Sequence, residues 1–266
     1  MTFSPETLGL RSRLLDDAGF RHAFFTRLGG VSEPPFDSLN FSSSVGDDPE
    51  LVHENCRRAA EALGVAVERL YFLSQVHGTQ HHRLEGDEDP LEVLRREGDI
   101  TLSTNPEVAC GVRMADCPAV LIGDLESGAV VAVHSGWRGT VAGAVPAGVA
   151  ALREVLGGPG DLVAAVGPHI EQCCFEVGAD VAATIAAATA EGEAVVDRGR
   201  AKPHVDLRRV IARQLADLGV ARVDHVAGCT MCDAERFHSY RRDGAVSGRM
   251  LGAIVAAARA SSASMT

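Results

Sequence analysis

Four short apolar segments follow one another closely between residues 100 and 134, and no other feature of the sequence restricts the fold as strongly. They are Ile100–Ser103, Ala109–Met114, Ala119–Ile122 and Ala129–His134. Short runs rich in Val, Ile and Ala are typical of β-strands. Adjacent strands combined with helices elsewhere predict an α/β sandwich with mixed sheets. The regular strand–helix alternation of a doubly wound fold is missing, as is a Gly-rich dinucleotide fingerprint.

Further elements are predicted on both sides of this group. Additional strands are expected at Ala23–Thr26, Leu70–Leu73, Leu162–Val166 and Met250–Ala257, and Val223–Val226 is a further apolar segment. Helices are expected at Pro49–Leu63, Thr140–Leu156, Ala179–Ala190 and Leu207–Leu218. The acidic segment His81–Arg96 has no clean period and is predicted to be a surface loop or a short helix. No internal repeat or linker divides the 266 residues, so we expect a single domain over residues 1–266.

Charge and composition limit the possible partners. The net charge of −11 disfavours binding to nucleic acid, although a locally basic pocket could still bind a small anion. No apolar run reaches the roughly 18–20 residues of a membrane span, and the first residues lack the apolar segment of a signal peptide. We therefore expect a cytoplasmic protein, either a monomer or a homodimer. Seven cysteines without a secretory signal are expected to be reduced thiols or ligands, not a disulfide framework.

Three junctions between predicted strands and loops each carry a potential metal ligand: His77, Cys117 and His134. Imidazole nitrogen and thiolate sulfur are the usual donors to zinc, and three protein ligands leave a fourth position open, as in catalytic zinc sites. Their wide spacing matches no local zinc-finger pattern. Spacing alone therefore favours a simpler interpretation, in which two histidines are hydrogen-bonded at strand ends and the cysteine belongs to the core.

A series of ordered segments resembles the YfiH-type laccase-domain family, whose members are also called polyphenol oxidases or purine nucleoside phosphorylases. These segments are Phe25–Ser32, Gln75–Gly78, Ala115–Pro118, Ala132–Gly139, Gly167–Ile170, Cys173–Gly178, Cys229–Cys232 and Phe237–Gly244. The resemblance implies that His77, Cys117 and His134 are zinc ligands, with copper as the other possible metal. It also implies an α/β fold akin to the cysteine hydrolase-like domain of deamidating toxins.

Residues next to these ligands are candidates for catalysis and substrate binding. Asp116 is predicted either to orient a ligand or act as a general base, or to cap backbone amides at a strand end. Arg138 lies in a Gly-flanked turn before a predicted helix, and its guanidinium suits phosphate or carboxylate. Trp137 either stacks on a flat base or belongs to the core.

Other candidates rest on the resemblance. It implies that Arg27 and Arg241 bind an anion, that Gln75 contacts substrate, and that Glu176 has a catalytic role near the site. Isolated arginines otherwise usually face water.

The remaining cysteines form two local pairs. Cys173 and Cys174 are adjacent and are predicted to be a second soft metal site, a redox pair or simply buried thiols. Cys229 and Cys232 form half of a zinc-ribbon pattern, but no second Cys-x-x-Cys motif completes four ligands. We therefore expect Cys229 and Cys232 to be structural.

Three reaction classes fit these features. The first is phosphorolysis of adenosine, inosine or methylthioadenosine, with phosphate bound by Arg27, Arg138 and Arg241 and with adenosine deamination as a companion activity. The usual zinc-deaminase signature is absent, so such a deaminase would be an independent solution.

The second class is copper-dependent phenol oxidation, expected at most as a side activity because the ten histidines include no His-x-His pair. The third is an amidase acting on cell-wall precursors, in which Cys117 is the nucleophile and His134 its base. A non-enzymatic metal-binding role is a further alternative.

Overall fold

A computed structural model of the protein describes residues 4–258. The strands are β1 (Gly9–Leu10), β2 (His22–Phe25), β3 (Leu70–Tyr71), β4 (His81–Arg83), β5 (Ile100–Ser103), β6 (Ala109–Met114), β7 (Ala119–Asp124), β8 (Val130–His134), β9 (Leu162–Val166), β10 (Val196–Asp197), β11 (His204–Val205), β12 (Arg222–His225) and β13 (Met250–Val255). The helices are α1 (Pro5–Leu8), α2 (Arg13–Asp17), α3 (Pro49–Leu63), α4 (Pro90–Arg95), α5 (Trp137–Ala142), α6 (Ala144–Leu156), α7 (Ala179–Ala187), α8 (Leu207–Asp217) and α9 (Tyr240–Asp243).

The strands form two mixed sheets and a small ribbon. One sheet has the order β1-β2-β13-β6-β3, the other has the order β12-β9-β7-β8-β5-β4, and β10 pairs with β11. Most neighbouring strands are antiparallel, but the pairs β3–β6, β4–β5 and β9–β12 are parallel. This arrangement confirms the predicted α/β class with mixed sheets.

The two sheets share an apolar core. Phe24 of β2 and Ile254 of β13 belong to the same buried cluster as Leu121 of β7 and Ala165 of β9. The other face of the six-stranded sheet packs against α6 and α8, and that of the five-stranded sheet packs against α3. Strands buried on both faces read as continuous apolar runs, which explains why they were recognisable in the sequence.

The structure corrects the helix predicted at Thr140–Leu156. The chain forms α5 and α6 instead, separated at Gly143, whose φ of 87° lies in the left-handed region. Glycine adopts this conformation without steric cost and commonly ends a helix. Pro146 lies in the first turn of α6, where its missing N–H group is tolerated.

The segment His81–Arg96 contains both a strand and a helix, so the prediction of a surface loop or short helix was only partly correct. β4 pairs with β5 at the edge of the six-stranded sheet. α4 begins after Asp89, whose side chain accepts a hydrogen bond from the Leu91 N–H group. An exposed edge strand does not need an apolar sequence, so periodicity did not reveal β4. The other predicted elements are observed with small shifts at their ends.

Within the described residues, no helix is both long and apolar enough to cross a bilayer.

Three buried histidines have pKa values that burial lowers, His22, His169 and His238. His22 Nε2 accepts a 2.8 Å hydrogen bond from the Ser12 N–H group, and its Nδ1 lies 2.9 Å from the Phe20 carbonyl oxygen. Burial lowers the pKa of His22. Burial, together with the charge of Arg27, lowers the pKa of His238 to about 3. Both rings are therefore neutral in the folded protein, whereas in an unfolded chain histidine binds a proton below about pH 6.5.

We expect acid to destabilise the protein through His238. The unfolded chain takes up a proton there near pH 6.5, and the folded protein does so only near pH 3, so stability falls as the pH drops through this interval. The loss in free energy of unfolding between pH 7 and pH 5 should be about 2 kcal/mol. Urea denaturation at several pH values measures it. His238→Gln should flatten the dependence, whereas His53→Gln, at an exposed position, should not. An unchanged slope in His238→Gln would contradict this origin.

Candidate metal centre

The three predicted metal ligands lie together at one edge of the sandwich. His134 ends β8, Cys117 lies in the turn between β6 and β7, and His77 lies in the loop after β3. One donor atom from each lies within 4.8 Å of the other two donor atoms. His77 Nε2 is 3.9 Å from Cys117 Sγ, and the rings of His77 and His134 are 5.0 Å apart between centroids.

The turns around these residues have unusual backbone geometry. His77 and Asp116 have φ angles of 61° and 87°, a left-handed conformation that is costly for residues other than glycine and often marks functional sites. The loop after β8 passes close to both ligands at Gly136. A Cβ atom there would lie 2.6 Å from Cys117 Sγ and 3.0 Å from His77 Cδ2. Only glycine allows this approach.

A buried carboxylate orients two of the three donors. Asp99 Oδ1 accepts a 2.7 Å hydrogen bond from His134 Nδ1, which leaves Nε2 to face Cys117. The same carboxylate accepts backbone hydrogen bonds from Val76, His77 and Gly78 at 3.1, 3.0 and 2.7 Å. Burial opposes ionisation of Asp99, but these hydrogen bonds outweigh it and lower the pKa of the carboxyl. Carboxylates in this position fix the tautomer and orientation of metal-ligating histidines.

Cys117 and His134 favour each other's charged forms. Burial disfavours the Cys117 thiolate, but the imidazoles of His134 and His77 outweigh it and lower the pKa of the thiol to about 6. Burial also disfavours the His134 imidazolium, but the Cys117 thiolate and Asp99 outweigh it and raise the pKa of His134 to about 9. Cys117 is therefore readily converted into the thiolate that a metal requires.

The donor set fits a tetrahedral metal with one open position. Two imidazoles and a thiolate are donors that zinc prefers. With ordinary zinc bond lengths, a nitrogen and a sulfur ligand lie about 3.6 Å apart, close to the 3.9 Å between His77 Nε2 and Cys117 Sγ. A small inward movement of these side chains would complete the site.

The donors line a cavity of about 570 Å³. Four arginines line the same cavity: Arg113, Arg138, Arg241 and Arg249. Among the described residues that line it, Asp116 is the one with an acidic side chain. The cavity is therefore locally basic, although the chain as a whole carries a net charge of −11. Such a cavity can attract an anionic ligand next to the metal donors.

Trp137 and Arg138 lie side by side at the start of α5, on the cavity wall. Trp137 is half-buried, Arg138 is exposed, and the guanidinium lies 4.5 Å from the centroid of the indole ring. The structure thus places an aromatic face and a cationic group next to the strand that ends in His134.

Asp116, which precedes the candidate ligand Cys117, is hydrogen-bonded to the C-terminal part of the chain. Its Oδ1 accepts a 2.6 Å hydrogen bond from the Thr230 hydroxyl, and its Oδ2 accepts one of 2.6 Å from the Arg241 N–H group. Arg241 also donates a 2.8 Å hydrogen bond to the Glu176 carbonyl oxygen and lies over the Phe175 ring. Asp116 therefore caps a backbone amide, one of the two predicted interpretations, and still lines the cavity.

Two predicted site residues lie outside the lining of this cavity. The Glu176 carboxylate forms a 2.8 Å ion pair with Lys202. Arg27 donates from Nε to the Asp37 carbonyl oxygen at 2.7 Å and from Nη1 to the Ala234 carbonyl oxygen at 3.1 Å, and it also pairs with the Asp37 carboxylate, so it joins its own loop to the C-terminal part of the chain. The structure therefore gives Glu176 and Arg27 local structural contacts in place of the expected position at the ligand.

Arg113 and Arg249 also line the cavity, although neither was predicted as a site residue. Burial lowers the pKa of Arg113 to about 10 and also lowers that of Arg249. The backbone of Arg113 exchanges two 2.8 Å hydrogen bonds with the side-chain amide of Gln75, so Gln75 lines the cavity but is already engaged. No local motif surrounds either arginine, and only their shared position around one cavity identifies them.

Four cysteines that form two separate pairs in the sequence also come together in the fold. The Sγ atoms of Cys173, Cys174, Cys229 and Cys232 lie within 4.8 Å of one another. The sequence indeed holds no second Cys-x-x-Cys motif, and the thiols that join Cys229 and Cys232 come instead from the adjacent pair Cys173 and Cys174. Not all these thiols are buried, because Cys173 and Cys232 are exposed.

Known proteins resemble this chain over most of its length. A family model described as multi-copper polyphenol oxidoreductase laccase matches residues 21–257. A purine nucleoside phosphorylase of Pseudomonas aeruginosa is 40% identical over 228 residues, which cover 85% of this chain and 89% of the relative. The purine nucleoside phosphorylase YfiH of Shigella flexneri is 36% identical over 225 residues, with the same coverage. The crystal structure of YlmD from Geobacillus stearothermophilus matches with a TM-score of 0.83 at 30% identity, covering 91% of this chain and 93% of that one.

We expect Asp99→Asn to weaken metal binding at this centre by about 10–100-fold. The amide cannot accept all the hydrogen bonds that the carboxylate accepts from His134 and the loop of His77, so both donors lose their fixed orientation. Competition with a chromophoric chelator measures the affinity, and circular dichroism checks folding. Asp87→Asn, at an exposed position, is the matched control. A folded Asp99→Asn protein with unchanged affinity would contradict the role of this carboxylate.

Proposed function

This chain belongs to the multi-copper polyphenol oxidoreductase laccase family. Because its relatives are named purine nucleoside phosphorylases, we propose that it is a zinc-dependent enzyme of that kind. We propose that one domain over residues 1–266 carries this activity. The observation that supports it most directly is the cavity itself, which is lined by both the three metal donors and several arginines. An anion and a flat aromatic base could bind there together.

His77, Cys117 and His134 would hold the metal. A bound zinc ion would supply a Lewis acid with one open coordination position. Copper is the alternative metal, because imidazole and thiolate ligands also bind copper. The family's description as multi-copper laccases fits this alternative. We propose phenol oxidation only as a side activity, since a multicopper site needs many paired histidines.

Phosphorolysis requires an anion to attack a sugar. A phosphate oxygen forms a bond to the anomeric carbon while the bond from that carbon to the purine nitrogen breaks. The electron pair of the broken bond leaves with the base, which takes up a proton. The sugar becomes cationic in the transition state, so phosphate must be held close without losing its charge. Arg138 and Arg241 suit this role because a guanidinium stays charged and binds oxygens in a fixed fork.

The remaining cavity residues suit the nucleoside. The indole face of Trp137 offers a stacking surface for a purine, and this surface does not discriminate strongly between bases. We propose adenosine, inosine and methylthioadenosine as substrates for this reason. Glu176 and Arg27 take no direct part in this proposal, because their charges are paired with Lys202 and Asp37.

Adenosine deamination is proposed as a companion activity. It requires a carboxylate that moves a proton between water and the departing amine. Asp116 lines the cavity, and each of its oxygens keeps a second lone pair beyond the hydrogen bonds from Thr230 and Arg241. Asp116 could therefore accept and return that proton.

The second candidate function is a cysteine amidase acting on cell-wall precursors. It is supported by the chain of groups from Cys117 through His134 to Asp99, which resembles the nucleophile, base and orienting carboxylate of cysteine hydrolases. The proposed likeness to the cysteine hydrolase-like domain of deamidating toxins belongs to this alternative. Metal bound by Cys117 would exclude its use as the nucleophile.

We expect the centre to bind one zinc ion, and Cys117→Ser and His134→Ala each to lose it. Removing the thiolate or one imidazole leaves two donors, too few for a stable site. Elemental analysis of the purified proteins, compared with Cys56→Ala as a cysteine control elsewhere in the chain, measures the loss. If both variants keep every zinc ion found in the unmodified protein, the ligand assignment fails.

We expect Arg138→Ala to abolish or strongly weaken phosphate-dependent release of adenine or hypoxanthine while leaving zinc bound. The guanidinium would hold phosphate, whereas deamination needs no phosphate and should suffer less. Chromatography of reactions with and without phosphate measures both activities. Arg13→Ala, at an exposed position, is the control and should keep full activity. Equal loss of both activities in Arg138→Ala would indicate a structural role.

The unmodified protein supplies the wider test. If zinc-loaded protein releases no base from any purine nucleoside, the phosphorylase proposal fails and the amidase becomes the better candidate.

A further inference from the structure

The four clustered cysteines lie on two loops at neighbouring strand ends. Cys173 and Cys174 lie in the loop between β9 and α7, and Cys229 and Cys232 lie in the loop after β12. β9 and β12 are parallel neighbours, so both loops leave the same edge of the sheet. We propose that these cysteines, here named the four-thiol cluster, bind a second zinc ion as a closed structural site.

The sulfur positions match those of a tetrahedral zinc site. The Sγ atoms of Cys173 and Cys232 are 3.7 Å apart, those of Cys173 and Cys174 are 3.7 Å apart, and those of Cys174 and Cys232 are 3.2 Å apart. Four thiolates around one zinc ion at ordinary bond lengths lie about 3.8 Å from one another. Cys229 Sγ also lies within 4.8 Å of the other three. The loops therefore already hold the thiols close to the geometry that zinc needs.

The surroundings suit the charge of such a site. Four thiolates carry two more negative charges than a zinc ion neutralises. Guanidinium groups meet the backbone of both loops: Arg200 donates to the Cys173 carbonyl oxygen at 2.9 Å, and Arg242 donates to the Thr230 carbonyl oxygen at 3.0 Å. Each guanidinium also pairs with a carboxylate, Arg200 with Asp197 and Arg242 with Asp243, so these cations would offset only a small part of the excess negative charge.

A metal in the four-thiol cluster would support a wall of the catalytic cavity. Phe175, which lines the cavity, directly follows Cys174. Thr230 directly follows Cys229 and donates its hydroxyl to Asp116. The site would hold both residues in place from outside the cavity. Four protein ligands leave no open position, so the second zinc is structural and takes no part in the reaction.

The two loops are also joined by their backbones. The His169 N–H group donates to the Gly228 carbonyl oxygen at 3.1 Å, and the Thr230 N–H group donates to the His169 carbonyl oxygen at 3.0 Å. These bonds bring the loops into register on the side next to the sheet. The four-thiol cluster joins them on the side nearer to solvent, where Cys173 and Cys232 are exposed. Metal can therefore reach the cluster in the folded protein.

Native mass spectrometry of reduced protein reloaded with Zn²⁺ tests this proposal. We expect two zinc ions per chain in the unmodified protein and in Cys56→Ala, and one in the double variant Cys229→Ser/Cys232→Ser. Cys117→Ser should also retain one, held by the four-thiol cluster. Combining all three substitutions should remove both ions. One zinc per chain that is lost in Cys117→Ser and kept in the double variant would overturn the proposal.

Cobalt substitution identifies the ligands independently. In Cys117→Ser protein loaded with Co²⁺, we expect strong thiolate-to-cobalt charge-transfer absorption, and adding Cys229→Ser and Cys232→Ser should abolish it. If that variant does not fold, titration of the unmodified protein with a thiol-reactive mercurial serves instead and should release two zinc ions. Release of a single ion, a bound iron in place of zinc, or a disulfide between cluster cysteines under reducing conditions would each overturn the proposal. Nucleoside turnover is measured separately, so loss of the phosphorylase proposal would leave this result interpretable.

Discussion

The geometry of the metal centre depends on the hydrogen bonds that the buried carboxylate of Asp99 accepts. It accepts hydrogen bonds from His134 and from three successive backbone N–H groups around His77. One side chain therefore orients a histidine at the end of β8 and holds the loop after β3. The N–H groups that donate to Asp99 favour its charged form, so the carboxylate stays ionised despite its burial. This carboxylate is the hydrogen-bonded link between the loop of His77 and the strand that ends in His134.

The metal donors and most of the arginines that line the cavity come from different parts of the fold. Strand ends and their tight turns supply the metal donors, whose positions depend on sheet register and on Gly136. Arg138 comes from the start of α5, and Arg241 and Arg249 come from the C-terminal part of the chain. Rigid strands suit a site that must hold donors to within a fraction of an ångström, whereas long guanidinium side chains tolerate more movement. The arrangement keeps metal binding and anion binding separable by substitution.

Local sequence patterns predicted the main strands because these strands are buried on both faces and are therefore apolar throughout. The local patterns failed to predict the end of α5 at Gly143, where a single residue changes the backbone direction, and the edge strand β4, which is polar. The family resemblance of the sequence, and not the spacing of the residues, named the three candidate metal donors, which lie together in the structure beside Trp137 and Arg138. It could not show that Glu176 pairs with Lys202 and Arg27 with Asp37, since folding decides which charged groups meet.

The sequence by itself determined the class of fold, the ends of most helices and the identity of candidate ligands, because these follow from periodicity, capping residues and donor chemistry. Tertiary structure decided which candidates act together. Asp99 became an orienting carboxylate, Arg113 and Arg249 became cavity residues, and Cys173 and Cys174 met the Cys-x-x-Cys loop only after β9 paired with β12. The physical reason is that ligand sets and ion pairs depend on distances of a few ångströms between segments far apart in sequence. Strand pairing and loop packing set those distances, and no local pattern of residues encodes them.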